Sequence, residues 1–198
     1  MRLFHVPNSR SQRVLWLLEE VGEPYELTFL GNRASRVADQ EHIARHPLGR
    51  VPVLEDGGQS IFESAAICLY LADKYPAAGL IAPTGTAERG LDYQWVVFGH
   101  SELEWRTVMI HTLDADSDAA RDVKEALAAA VDVVEQALAG HEFLVADRFG
   151  VADIVISSVL SRIQRLSLME LPERVSSYLD AIDDRPAKQR AIAVNPAA

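Results

Sequence analysis

Apolar positions in the first 30 residues follow two different periods, which indicate a strand, a helix and a second strand. Residues 2–6 form a short, mostly apolar run that is typical of a buried strand. From Gln12 the apolar side chains recur every three or four positions, which predicts a helix that ends at Gly22. Residues 25–30 have the composition of another strand, so the segment has the size of a β-α-β unit.

The next 45 residues predict a loop, a hairpin and a closing helix. Residues 31–46 are polar and irregular, with a helix predicted from about Ser35. The turn sequence Asp56-Gly57-Gly58 joins two short apolar runs and indicates a β-hairpin. Helical periodicity then resumes and ends before Pro76. This order of elements is typical of a thioredoxin-like α/β domain, which we predict for residues 1–76.

The remainder of the chain has helical periodicity throughout. Residues 77–85 are rich in proline, glycine and alanine and are predicted to be a linker. Residues 86–198 are predicted to form an all-helical domain. Its predicted helices are about 88–111, 119–139, 151–163, 172–182 and 187–194. The sequence therefore predicts two domains of different class.

The charge balance argues against a nucleic-acid partner. The 198 residues carry 29 acidic and 19 basic side chains, for a net charge of -10. An acidic surface disfavours a broad interface with a phosphate backbone. Several arginines, including Arg10 and Arg50, nevertheless fall within the first 50 residues, so a small anionic ligand is compatible with this half.

Cysteine usage and the lack of a leader favour a cytoplasmic protein. Cys68 is the only cysteine, which excludes an internal disulfide and a C-x-x-C redox pair, and we expect it to be buried. No apolar run approaches the roughly 18 residues needed to cross a membrane. The six histidines lack metal-ligand spacing, so no metal is predicted.

Two serines lie where the first strand meets the first helix. In open α/β folds, ligands collect at this end of the strands. A hydroxyl of Ser9 or Ser11 could donate a hydrogen bond to a thiolate there, assisted by the helix N-terminus. The alternative is helix capping, and we expect one of the two serines to do only that.

Two further segments predict contacts with a peptide-like anion. A cis bond before Pro52, which opens a strand, would turn the backbone groups of Val51 outward toward a peptide-like ligand. Glu63 and Ser64 open a helix, where backbone N–H groups and a hydroxyl can bind a carboxylate. The alternative for this pair is a simple N-terminal cap.

Six segments in order, together spanning nearly the whole chain, resemble the motifs of cytosolic glutathione S-transferases of the serine type, as in the bacterial, theta and delta kinds. These segments are Pro7–Val14, Leu17–Glu26, His46–Leu54, Phe62–Ile67, Asp147–Ile154 and Arg185–Ala187. The resemblance departs from the family at Gly150, where a serine or threonine is usual. The sequence argues against the tyrosine-type classes, since no tyrosine lies in the first few residues, and against the cysteine-dependent kinds, since position 10 is Arg10.

The resemblance implies that glutathione is the co-substrate. Ser9 takes the place of the catalytic serine, with Ser11 as second choice. Val51 would pair with the cysteinyl part of glutathione, and Glu63 and Ser64 with its γ-glutamyl end. The glycyl carboxylate would be held by Arg50 or by His46.

The resemblance also implies a reaction and an assembly. We expect the thiolate to attack small hydrophobic electrophiles, with peroxide reduction as a further activity, in a homodimer. Trp105 and Met109 share one face of a long helix and are expected to line the second-substrate pocket or to lie in the core. Glu102 and Glu104 are expected to be solvated, or to reach the ammonium group of glutathione in the partner subunit. The alternative function is a ligand-binding or regulatory protein of the same fold without turnover.

Overall fold

The computed structural model describes residues 1–194, and its first compact unit is built on a four-stranded sheet. The strands are β1 (Arg2–His5), β2 (Glu26–Phe29), β3 (Val53–Asp56) and β4 (Gln59–Phe62), in the order β2-β1-β3-β4. β1 pairs parallel to β2 and antiparallel to β3, and β3 and β4 form the predicted hairpin. The predicted β-α-β and hairpin elements are therefore confirmed.

The helices of this unit follow the predicted order, with one difference. They are α1 (Ser11–Val21), α2 (Arg33–Ala38), α3 (Gln40–Arg45) and α4 (Ser64–Lys74). The single helix predicted from about Ser35 is two short ones, because Asp39 is extended and its carboxylate caps α3 at the N–H groups of Glu41 and His42. The predicted end of α1 is confirmed: Gly22 adopts φ 76° and its N–H donates to the carbonyl of Leu18.

The second unit, Leu80–Asp184, is helical, as predicted. Its helices are α5 (Ala87–Phe98), α6 (Trp105–Ile110), α7 (Asp118–Ala137), α8 (Val151–Arg165) and α9 (Glu173–Asp183). A π-helical segment, Gly99–Glu104, joins α5 to α6, so the predicted long helix is continuous in direction but not uniform in hydrogen bonding. Ten of the fifteen residues of α8 are buried, including the first seven, as expected for a central helix.

The C-terminal helix α10 (Pro186–Ala193) belongs to the first unit, although the sequence pattern groups it with the helical half. It packs against α1. Arg185 donates two hydrogen bonds to the Glu20 carboxylate, at 2.7 and 2.9 Å, and Arg190 donates to Glu19 at 2.8 Å. Helical periodicity predicts the helix but not which surface covers its apolar face, and these ion pairs are formed across more than 160 residues of sequence.

The start of α8 is held by a buried carboxylate. Asp153 accepts hydrogen bonds from the N–H of Gly150 at 2.9 Å, the N–H of Leu144 at 3.1 Å and the hydroxyl of Tyr178 at 2.8 Å. A Cβ atom at Gly150 would lie 2.7 Å from the carbonyl oxygen of Leu80. This close approach explains why a residue without a side chain occupies position 150.

Replacing Gly150 by alanine is expected to destabilise the protein by about 1–3 kcal/mol, because the new methyl group would collide with backbone. Urea denaturation measures the effect. Gly90→Ala is the matched control: Gly90 lies inside α5, a methyl group added there would meet open space, and the change should stabilise by about 0.5–1 kcal/mol. Equal effects at the two glycines would contradict the steric explanation.

The stability of the protein is expected to depend on the ionisation of Asp153. Burial raises the pKa of this carboxyl group from its ordinary 3.8 to about 6, so the folded state binds the proton more tightly than the unfolded state. The resulting stabilisation is complete below about pH 4 and is lost as pH rises through about 6. Relative to Asp153→Asn, the wild type should lose about 2–2.5 kcal/mol of unfolding free energy between pH 4 and 7. A pH-independent difference between the two proteins would contradict this assignment.

Candidate functional site

An open cavity of about 260 Å³ lies in the first unit, where several loops and helix starts meet. Its lining includes the six residues that the sequence predicts for glutathione binding besides the two serines. These are His46, Arg50, Val51, Pro52, Glu63 and Ser64. They come from the end of α3, the loop before β3 and the start of α4. Arg10, for which the sequence predicts no ligand contact, also lines the cavity.

The loop that enters β3 has the predicted cis peptide bond between Val51 and Pro52. A fully buried histidine supports this loop: the Nε2 of His42 lies 3.0 Å from the carbonyl oxygen of Arg50. A carbonyl oxygen only accepts, so Nε2 carries the ring proton and donates. Burial lowers the pKa of His42, which keeps the ring neutral at pH 7. Sequence reasoning missed this role because His42 lies eight positions before Arg50 and belongs to no recognisable motif.

His46 contributes a hydrogen-bond donor to the cavity but no charge at pH 7. Its Nδ1 accepts the N–H of Leu48 at 3.2 Å, so in the neutral ring the proton is on Nε2. Burial lowers the pKa of His46, although the Glu63 carboxylate opposes the shift. The ring packs against Phe62, with a centroid separation of 4.8 Å.

The start of α4 contains an unsatisfied polar group. Ser64 is only 2% exposed, and its Oγ is buried without a hydrogen-bond partner among the described residues. Glu63, which precedes the helix with φ 72°, makes no side-chain capping bond and is exposed. The simple-cap alternative for this pair is therefore not observed. A buried hydroxyl without a partner costs about 1–3 kcal/mol, so a ligand that bonds to it recovers that free energy.

The two serines near α1 form a hydrogen-bonded network with β1. Ser9 Oγ lies 2.7 Å from the carbonyl oxygen of Val6 and 2.7 Å from Ser11 Oγ. Ser11 Oγ lies 2.7 Å from Nδ1 of His5 and accepts the N–H of Val6 at 3.2 Å. Ser9 Oγ also accepts the N–H of Ser11, at 3.2 Å, so it stabilises the turn before the helix. Sequence reasoning did not include His5, since a buried strand residue carries no local signal of such a bond.

Each hydroxyl proton in this network has an acceptor inside it. If Nδ1 of His5 is protonated, it donates to Ser11, which then donates to Ser9 or Val6. If Nδ1 is unprotonated, Ser11 donates to it, and Ser9 donates to Val6 or Ser11. Ser11 is also fully buried. Of the residues described, neither serine is among those that line the cavity.

The residues predicted for a second-substrate pocket lie in the second unit. Trp105 and Met109 are one turn apart on α6; Trp105 is 53% exposed and Met109 is half-buried. The expectation that Glu104 is solvated is wrong: it is 2% exposed, and its carboxylate lies 3.3 Å from Nδ1 of His100. Glu104 ends the π-helical segment, whose residue spacing differs from that of a uniform α-helix, so α-helical periodicity does not predict its burial. Glu102, in contrast, pairs with Arg106 at 2.7 Å.

Cys68 is buried as predicted, and burial raises the pKa of its thiol to about 12. Within residues 1–194 there is no cluster of three or more histidine, cysteine, aspartate or glutamate side chains suited to a metal ion. In the same part of the chain, no helix combines the length and apolar character needed to cross a membrane.

Comparison with known proteins gives matches along most of the chain. The family model for the glutathione S-transferase N-terminal domain matches residues 1–73, and the model for the C-terminal domain matches residues 90–180. Glutathione S-transferase 3 of Zea mays is 30% identical over 99% of this chain and 95% of its own length. A sphingomonad glutathione S-transferase solved in complex with glutathione is 28% identical, covers 98% of both chains and has a TM-score of 0.84. A ternary complex of BphK, a bacterial glutathione S-transferase, has a TM-score of 0.86 at 28% identity and the same coverage.

The bond from His42 to the loop carbonyl should contribute measurably to stability. His42→Phe keeps an aromatic ring but leaves the Arg50 carbonyl without this donor, and we expect a loss of about 1–3 kcal/mol in urea denaturation. His111→Phe, at an exposed position, is the control and should change stability by less than about 0.5 kcal/mol. A loss at His42 as small as at His111 would mean that the bond does not stabilise the loop.

Proposed function

This chain belongs to the glutathione S-transferase family, and on that premise we propose that it binds glutathione in the cavity of its first unit and directs the thiolate at small electrophiles. The observation that carries the assignment of the site is the convergence of six predicted contact residues, from separate segments, on one cavity. The hydroxyl of Ser64 supports it, because this buried group has no hydrogen-bond partner among residues 1–194 and a ligand could supply one.

The charges in the cavity complement those of glutathione, which carries one ammonium group and two carboxylates. The carboxylate of Glu63 would bind the ammonium group. The Ser64 hydroxyl and the N-terminus of α4 would bind the γ-glutamyl carboxylate, since a helix start carries partial positive charge. The guanidinium of Arg50, with the neutral donor His46, would bind the glycyl carboxylate. The backbone of Val51 would pair with the cysteinyl residue between them.

The chemical step requires the thiolate. The thiol releases its proton to solvent, the sulfur forms a bond to the electrophilic carbon, and the leaving group departs with the bonding pair. A thiol of pKa about 8.5 is about 3% ionised at pH 7, and lowering that pKa by two units increases ionisation about 25-fold. Nucleophilicity falls about 8-fold with the pKa, so the net gain is about threefold. Most of the acceleration must therefore come from holding the two reactants together.

Hydrogen-bond donors at the start of α1 would assist that ionisation. Ser9 is the first candidate, because it is half-buried and closer to solvent than Ser11. Its proton is directed to Val6 or Ser11 in the structure, so bonding to a thiolate requires its hydroxyl to rotate. The dipole of α1 would add to the effect.

The second substrate and the assembly are further parts of the proposal. Trp105 and Met109 present apolar surface on α6 that suits a small hydrophobic electrophile. Helix α5 exposes large apolar side chains at Leu91, Tyr93 and Val97, and such surface favours burial against a second copy of the chain in a homodimer. A cytoplasmic location is proposed because the single cysteine requires no oxidising compartment.

Calorimetric titration with glutathione, and with S-methylglutathione in parallel, tests the assigned site. The wild type should bind one ligand per subunit. Ser64→Ala should weaken binding of both ligands about 10- to 100-fold, because it removes a hydrogen bond to a charged group. Ser60→Ala, at an exposed position on β4, is the control and should leave affinity unchanged.

The outcomes separate the enzyme from its alternative. Absence of binding at millimolar glutathione would contradict the proposal. Binding with turnover of an activated aryl halide would support the transferase. Binding without turnover of any electrophile in a panel would favour a ligand carrier or regulatory protein of the same fold.

A further inference from the structure

Arg10 occupies a position in the site that the proposed function leaves unexplained. It lies between the two serines, immediately before the first residue of α1, and lines the same cavity as Glu63, Ser64 and Arg50. From the sequence alone, Arg10 indicates only that the chain lacks a catalytic cysteine at position 10. Two arginines, Arg10 and Arg50, therefore line one cavity in a protein of net charge -10.

The neighbouring hydroxyls are poorly placed to act alone on a bound sulfur. Ser11 is fully buried, and both hydroxyl protons have acceptors within the network of His5, Val6 and the serines. A serine that turns toward a thiolate must give up one of these bonds. Among the described residues, Arg10 lines the cavity, whereas its neighbours Ser9 and Ser11 do not.

When each charged group of glutathione is paired with a group of opposite charge in the cavity, one anion remains for Arg10. In the proposed function, Glu63 binds the ammonium group, Ser64 and the α4 N-terminus bind one carboxylate, and Arg50 binds the other. His46 is neutral at pH 7, because burial lowers its pKa. The remaining anion is the thiolate, which the resemblance also directs to the start of α1. This inference therefore rests on the proposed function.

We propose that the guanidinium of Arg10 contacts the sulfur of bound glutathione and stabilises it as the thiolate. An opposite charge within about 4–6 Å lowers the pKa of an acid by about 1–3 units, and arginine keeps its charge at any pH of interest. The thiol proton leaves to solvent, and Arg10 remains protonated throughout. Ser9 and Ser11, which tie the turn to Val6 and His5, fix the backbone that carries Arg10.

The test measures the pKa of the bound thiol by the ultraviolet absorbance of the thiolate, with the complex of S-methylglutathione as blank. Arg10→Met should raise that pKa by about one unit or more, which is a tenfold loss of thiolate below it. Arg10→Lys should retain most of the lowering, because it keeps a cation. Arg2→Met removes the same charge from an exposed ion pair on β1 and should leave the thiol pKa within about 0.3 unit, since exposed charges are screened.

Affinity for S-methylglutathione distinguishes the sulfur from the carboxylates, because this ligand has both carboxylates and no ionisable thiol. If Arg10 acts on the sulfur, Arg10→Met should change this affinity less than about threefold. An unchanged thiol pKa, or weaker binding of S-methylglutathione with an unchanged thiol pKa, overturns the inference. Should Arg10→Met fail to fold, Arg10→Gln gives the same readout with a polar side chain.

The proposed function and this inference fail in different ways. A wild type that binds neither ligand contradicts the glutathione site itself, and with it the role of Arg10. A wild type that binds both ligands, but whose Arg10 variants ionise the bound thiol normally, leaves the glutathione site intact and overturns only the assignment of Arg10.

Discussion

The first unit depends on β1, one of the two strands that pair on both of their edges. β1 is parallel to β2 and antiparallel to β3, and Leu3, Phe4 and His5 are buried along it. Because the strand cannot shift without breaking both ladders, the chain leaves it at a defined point. There His5 bonds to Ser11, Val6 bonds to both serines, and α1 begins. The position of Arg10 in the cavity follows from this one strand.

The site balances charge by keeping two histidines neutral. His42 supports the loop carbonyl and His46 adds a donor, and burial lowers the pKa of both rings. Two arginines, Arg10 and Arg50, are among the residues that line the cavity, and arginine side chains stay protonated at all pH values relevant to a cell. An anionic ligand thus meets a charge that does not titrate, whereas neutral imidazoles contribute only directed hydrogen bonds.

The second unit depends on a different feature, the burial of the first two turns of α8. Asp153 on the first turn is buried, and its carboxylate accepts the N–H of Gly150, the residue before the helix, and the N–H of Leu144. The carboxylate is desolvated in return, which raises its pKa. Gly150 allows the chain to pass against the carbonyl of Leu80 at this point. The close packing of Gly150 against Leu80 and the burial of the Asp153 carboxylate therefore occur together at the start of α8.

The sequence alone determined what depends on near neighbours along the chain. The strands, the helix ended by Gly22, the cis bond before Pro52 and the order of the elements follow from local periodicity, turn residues and motif spacing. Tertiary structure decided what depends on contacts between distant residues. It paired Arg185 with Glu20, buried the Ser64 hydroxyl without a hydrogen-bond partner in the described part of the chain, and placed His42 against the Arg50 carbonyl. A residue type states which bonds a side chain can make, but only the folded chain brings a partner within reach or keeps water out.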